Sequence, residues 1–248
     1  MQRPGVFICF AALTFEGEQT SICYRPPPLR LMLMARLESA AVVIAANQFN
    51  PSVFSELWLF RHDIATAEEL DQVESKIFSE AVVQVVTGTF NLTILPHQLM
   101  FATKDPVDPT GLILERMGRL IDLVPHTPFQ AVGVNFLWQI EPSSTRDMSK
   151  RLFMPDDSPL LTEFSSPDCF FGGYLSKDIL NCRLKLNIMP TTEQAEGEKV
   201  HRLHMNFNFH KDIATLDHEN RPLVIKQHLA SRSEAYVMSK RIAESIPN

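Results

Sequence analysis

Apolar and polar positions along the chain follow two rhythms, one with a period of two and one near 3.6. "ESAAVVIAA" (38–46) is β-branched and apolar without helical spacing, and predicts a buried strand. "AVVQVVTGTFNLTILPHQLMFAT" (81–103) holds three apolar runs parted by Thr87-Gly88 and Pro96-His97. Each break suits a tight turn, so the stretch predicts a three-stranded antiparallel meander. "AVGVNFLWQI" (131–140) alternates, with Val132, Val134, Phe136, Trp138 and Ile140 on one side, as a strand with one buried face does. "CFFGGYLS", "NCRLKLNIM", "HRLHMNFNFH" (201–210) and "PLVIKQH" predict four further strands.

The helical rhythm is flanked by start and stop signals. Asn50-Pro51 offers a cap followed by proline, opening a short helix whose inner face is Val53, Phe54, Leu57 and Trp58. Thr66 and Glu69 form a capping box ahead of Leu70, Val73 and Ile77, which predicts a second helix. Asp108-Pro109 repeats the cap-then-proline opening before Ile113, Met117, Leu120, Ile121 and Val124, with Glu115 and Arg119 paired outside and Pro125 and Pro128 closing the helix. Ser231 and Glu234 suggest a capping box for a last helix carrying Ala235, Met238, Ile242 and Ile246 inward, with Pro247 after it. Residues 141–167, rich in Pro, Ser and Asp, read as a connecting region.

Strands then helix, a linker, then strands and helix again predict an α+β fold: antiparallel sheet with helices on one face. The order suits a single domain over 34–248 built from two similar halves, 38–140 and 168–246. The echo of "HDIAT" (62–66) in "KDIAT" (211–215) is short enough to be chance. Residues 1–33 look different: Arg3 and the apolar Val6–Phe15 hint at a signal peptide, but no small-x-small cleavage site follows. Pro26-Pro27-Pro28 then interrupts any regular element, so this segment reads as either a disordered tail or a misassigned start.

Composition changes this picture little. A length of 248 residues with 45% hydrophobic and 21% charged residues is that of a globular chain able to bury a full core. Seventeen Phe against three Tyr and two Trp put the aromatic mass into packing. A net charge of −6 argues against nonspecific attachment to nucleic acid or to an anionic membrane. No apolar run reaches the roughly 18 residues of a membrane-spanning helix. Cys9, Cys23, Cys169 and Cys182 include no C-x-x-C pair. A Cys169–Cys182 bridge is one alternative and reduced thiols in a cytoplasmic protein the plainer one.

The histidine stretch is the densest candidate chemistry. Leu203, Met205, Phe207 and Phe209 alternate with His204, Asn206, Asn208 and His210, and His201 falls on the apolar side. His204 and His210 share a face, yet six residues at about 3.3 Å each part them by about 20 Å. Zinc-bound imidazoles each lie about 2 Å from the ion, so this strand alone cannot supply two ligands to one metal. The preceding strand buries Leu184, Leu186 and Ile188 and turns Arg183, Lys185 and Asn187 outward. If the two pair through the polar loop at 190–200, one face displays Arg183, Lys185, Asn187, His204, Asn206, Asn208 and His210. Such a face suits an anion or an extended polar partner; an ordinary solvated outer face would carry the same pattern.

A second cluster, His210, Asp212, Asp217, His218 and Glu219, could bind a divalent ion or do acid/base work, although turns attract Asp and Asn for backbone reasons alone. Asp156-Asp157 reads as turn chemistry. Gly172-Gly173 precedes no phosphate-cradling spacing and reads as a bulge or a close backbone approach. No G-x-S-x-G, H-E-x-x-H or G-x-G-x-x-G occurs.

"NQFNPSVFSELWL", "PHTPFQAVGVNFLW" and "GGYLSKDILNCRLKL" are similar to segments of a group of bacterial α+β proteins with no assigned activity, a resemblance spanning roughly residues 38–212. It implies a bacterial intracellular setting and brings no activity, cofactor or catalytic residue. The expectation is therefore a noncatalytic cytoplasmic binding or assembly protein, without cofactor, that meets a protein partner or its own copy through a sheet face or edge. The alternative is a metal-dependent or acid/base enzyme using the His210–Glu219 cluster. Nucleic-acid binding through Arg183 and Lys185 runs against the overall charge.

Overall fold

The computed structural model describes residues 35–108, 111–141, 144–195 and 198–246. Cys9, Cys23 and the expected tail lie outside them. The described strands are β1 (Arg36–Ala46), β2 (Ser75–Phe78), β3 (Val83–Val86), β4 (Phe90–Leu95), β5 (Gln98–Thr103), β6 (Phe129–Ile140), β7 (Gly173–Ile179), β8 (Cys182–Ala195) and β9 (Glu198–Asp212). They form one open sheet in the order β2-β3-β4-β5-β1-β6-β9-β8-β7. Every neighbouring pair is antiparallel. The helices are α1 (Glu56–Arg61), α2 (Ala67–Asp71), α3 (Leu112–Leu123), α4 (Thr145–Phe153), α5 (Arg221–Ala230) and α6 (Arg232–Glu244).

Period-two patterning decides which face the helices cover. Val42 and Ile44 of β1, Leu99 and Phe101 of β5, Val132 to Ile140 of β6 and Leu203 to Phe209 of β9 alternate into one core. The helices supply the other side of that core. Ile113, Met117, Leu120 and Ile121 of α3, Ile225 and Leu229 of α5, and Ala235 and Ala243 of α6 are all buried there. Trp138 Nε1 donates to Ser239 Oγ at 3.0 Å, so the largest core side chain has its one polar atom satisfied across the β6–α6 interface. The expected α+β fold, with helices on one face of an antiparallel sheet, is what the chain forms.

The sheet order gives the chain an internal plan. β1 and β6 pair at its middle. Each is followed by helical turns, then by strands of which the last, β5 or β9, returns to lie beside it. A helix then crosses the same face. In this order β6 stands with the strands that follow it, beside β9, as β1 stands beside β5. "HDIAT" follows α1 while "KDIAT" begins within β9, so the two words sit at unlike places in the plan.

Several local expectations need correction. The helix expected at Asn50-Pro51 is a 3-10 turn over Pro51–Val53, and α1 starts afresh behind a Ser55 cap. Leu59 of α1 and Phe54, which closes the 3-10 turn, point inward, while Val53 and Leu57 are exposed. The Thr66–Glu69 capping box is present, but α2 stops at Asp71 and Ile77 lies in β2. Ser231 makes no side-chain cap for α6; its hydroxyl donates to His228 O at 2.8 Å. "PLVIKQH" is not a strand but most of α5, entered by proline in its first turn. The connecting region contains α4, whose cap Ser144 accepts from the Asp147 amide at 3.2 Å. The Gly172-Gly173 pair is a close approach: a Cβ at 173 would lie 2.4 Å from the Phe153 ring, and one at 172 would lie 2.8 Å from Ile188 O.

Candidate functional site

The β8–β9 hairpin and β6 build the candidate surface. Because Leu184, Leu186 and Ile188 face the core opposite Phe209, Phe207 and Met205, the residues between them must face the other way. Register then sets Arg183 beside His210, Lys185 beside Asn208, Asn187 beside Asn206, and Met189 beside His204. On the far side of β9, Asn208 lies beside Asn135, Asn206 beside Leu137 and His204 beside Gln139. The seven residues expected on one sheet face do share it, and it is the face opposite the helices.

Their engagements differ. Arg183 is committed to the outer strand, donating to Asp178 Oδ1 at 3.0 Å and to Ser176 Oγ at 2.8 Å. His204 belongs to a polar chain across the sheet. Arg36 Nη2 donates to Gln139 Oε1 at 3.0 Å, and Gln139 Nε2 lies 3.2 Å from His204 Nε2. His204 Nε2 is 3.7 Å from Glu193 Oε1; Glu193 also pairs with Arg202, which donates to Glu141 at 2.7 Å. His210 is half-buried; burial lowers its pKa, the neighbouring Lys185 charge lowers it further, and Asp212 opposes them only in part.

Lys185, Asn187 and Asn206 make no side-chain hydrogen bond or ion pair with any described residue. Asn208 Oδ1 is out of contact with solvent and without a partner. The neighbouring Asn135 amide reaches only Gly133 O, at a long 3.5 Å. Four side chains on two adjacent strands, three of them carboxamides that both donate and accept, therefore stand uncommitted in a block.

The second cluster does not gather. Asp212 accepts from the Ala214 amide at 2.9 Å, as a turn residue does. Asp217, His218 and Glu219 are exposed around a 3-10 turn at His218–Asn220. Among the described residues no group of three or more His, Cys, Asp or Glu side chains is placed to hold a metal ion. The sequence proximity of His210, Asp212, Asp217, His218 and Glu219 thus reflects a strand end and a turn. His201 points away from His204, as its parity requires, with Nδ1 2.9 Å from Thr192 Oγ1. Cys169 and Cys182 are both free thiols.

No protein-family model matches the chain, and no curated protein matches it.

Sequence reasoning missed Asn135, Gln139, Arg36 and Arg202, which complete the face. For Arg36, Asn135 and Gln139 the signal was the parity of β1 and β6, legible only once the strand order is known; for Arg202 it was the parity of β9 itself, which it shares with His204. Two depressions in the surface lie elsewhere, one at the β7–β8 turn lined by Asp178–Cys182, the other on α6 around Val237 and Met238. Among the described helices none is long and apolar enough to cross a membrane.

Proposed function

We propose that the chain is a noncatalytic binding or assembly protein of the cytoplasm, and that it engages an extended segment of a protein partner on the sheet face that no described element covers, here the bare face. The observation that carries this reading is the uncommitted block of Lys185, Asn187, Asn206 and Asn208. Alternate residues of one strand lie about 6.7 Å apart and neighbouring strands about 4.8 Å apart. An extended polypeptide repeats its own donors and acceptors at the same spacing of about 6.7 Å for every second residue. Asn206 and Asn208 therefore match such a segment lying parallel to β9, with Asn187 and Lys185 alongside it. The free thiols of Cys169 and Cys182 suit a reducing compartment.

Amine-reactive cross-linking of gently purified protein tests this, because Lys185 lies inside the block. Cross-links from Lys185 to a second polypeptide are expected, and they should be lost in an Asn187→Asp, Asn206→Asp variant that keeps Lys185 and melts like wild type. Cross-links from other lysines alone, unchanged by that variant, would contradict the reading.

A further inference from the structure

Among the described residues the sheet ends in two unlike edges. β2 has four residues, and its Lys76 is tied to Glu56 of α1 at 2.9 Å. Short edges of this kind are a common protection against strand pairing. β7 has seven residues, five of them exposed in succession. Tyr174 is 60% exposed on the bare face and Leu175 is 55% exposed on the other.

The backbone pattern of β7 follows from its turn. Leu180 and Asn181 have φ of 53° and 54°, the left-handed pair that makes a two-residue hairpin turn. Ile179 and Cys182, which flank it, are directly opposed and form the closing hydrogen-bonded pair. Alternation then directs the amide and carbonyl of Lys177, Leu175 and Gly173 toward β8, and those of Asp178, Ser176 and Tyr174 away from the sheet.

We propose that β7 pairs antiparallel with β7 of a second copy of this chain, centred on Ser176. This deepens the binding-or-assembly reading above and rests on it. The register sets Ser176 against its own counterpart and Tyr174 against Asp178 of the other copy. All outward amides and carbonyls at 174, 176 and 178 then find partners. On the opposite face it sets Leu175 against Lys177, so no like charges meet. A shift of one pair in one direction would oppose Lys177 to Lys177, which is unfavourable. A shift in the other would leave the Asp178 amide and carbonyl outside the paired strand. The Asp178 carboxylate is already neutralised by Arg183 at 3.0 Å, so it brings no unpaired charge to the seam. A two-fold axis normal to the sheet keeps both bare faces on one side. The Lys185 strands of the two copies then lie three strand spacings apart, about 14 Å, and the dimer presents two blocks to one partner.

The test is light scattering after size exclusion, over a concentration series, on the full chain and three variants. Leu175→Lys sets lysine against Lys177 twice, at an exposed position that the monomer does not need. Leu175→Glu sets opposite charges there. Ser176→Pro removes the outward amide, which an edge strand tolerates, and with it the Oγ that accepts from Arg183, whose bond to Asp178 remains. The expected result is a dimeric wild type, a dimeric Leu175→Glu protein, and folded monomers for Leu175→Lys and Ser176→Pro. A monomeric wild type, or a dimer indifferent to Leu175→Lys, would overturn the pairing. Either outcome would leave the Lys185 cross-links to an unlike polypeptide to be judged separately, so the two readings fail by different measurements.

Discussion

Glu69 shows how much a single residue can join without local warning. Its carboxylate accepts from the Thr66 amide at 2.9 Å, from Arg116 at 2.9 Å and from Thr89 Oγ1 at 2.5 Å. Burial alone would raise its pKa, but those hydrogen bonds and the Arg116 charge outweigh it and hold the group below the ordinary carboxylate range. Arg116 in turn lies 4.8 Å from the centre of the Phe90 ring. Glu69→Ala would leave that guanidinium, 10% exposed, without its counter-charge. The expected cost is about 3 kcal/mol, read as a lower urea midpoint at neutral pH. His228 tests a different sign. Its ring is buried, with Nε2 2.8 Å from Phe209 O, and burial pushes its pKa down despite that hydrogen bond. The folded protein therefore binds the proton less readily than the unfolded chain. Stability is full above the unfolded histidine value of about 6.5 and falls as pH drops below it. A His228→Gln variant should lose part of the decline in melting temperature between about pH 7 and pH 5. At this scale only the capping box was legible, because Thr66 and Glu69 are three residues apart. Arg116 and Thr89 reach Glu69 from 47 and 20 residues away.

Among elements, period-two strands and the two longest helices, α3 and α6, were legible, and the shorter helices only in part. β9 buries Leu203, Met205, Phe207 and Phe209 and β6 buries Val132, Val134, Phe136, Trp138 and Ile140, as the alternation predicts, although β6 buries Phe129, Gly133 and Gln139 as well. In α5, by contrast, "PLVIKQH" offers the β-branched Val224 and Ile225 side by side, a pair that suits a strand as well as a helix. The chain resolves it through Ile225, His228 and Leu229, which share a helical face and are buried. The element predicts its own test. Ile225→Ala should cost about 2–4 kcal/mol, whereas Leu223→Ala, at a position 53% exposed, should cost under about 0.5 kcal/mol. A strand would instead place 223 and 225 on one face and give them similar costs. Denaturant midpoints of the two variants decide between these. α4 was hidden because its Ser144–Asp147 cap sits among Pro, Ser and Asp that also describe a loop. Ile77 was claimed for a helix because it continues the spacing of Leu70 and Val73, yet its backbone pairs with Gln84.

For the whole molecule, what sequence could not supply was strand order. It foresaw that Arg183, Lys185, Asn187, His204, Asn206, Asn208 and His210 share a face, because hairpin parity is local. It could not foresee that β6 adds Asn135 and Gln139 to that face, that Arg183 and His204 are already engaged, or that β7 ends the sheet. Those facts support the proposed recognition: uncommitted amides at strand spacing, on a sheet whose longer edge is proposed to pair with its own copy. The most direct measurement is native mass spectrometry of gently purified full chain beside the Lys185→Glu, Asn206→Asp variant. The account predicts wild-type masses at whole multiples of the chain, or of the chain plus a protein partner, with the partner lost from the variant. A single chain carrying the added mass of a metal ion or small molecule, equally in both proteins, would contradict it.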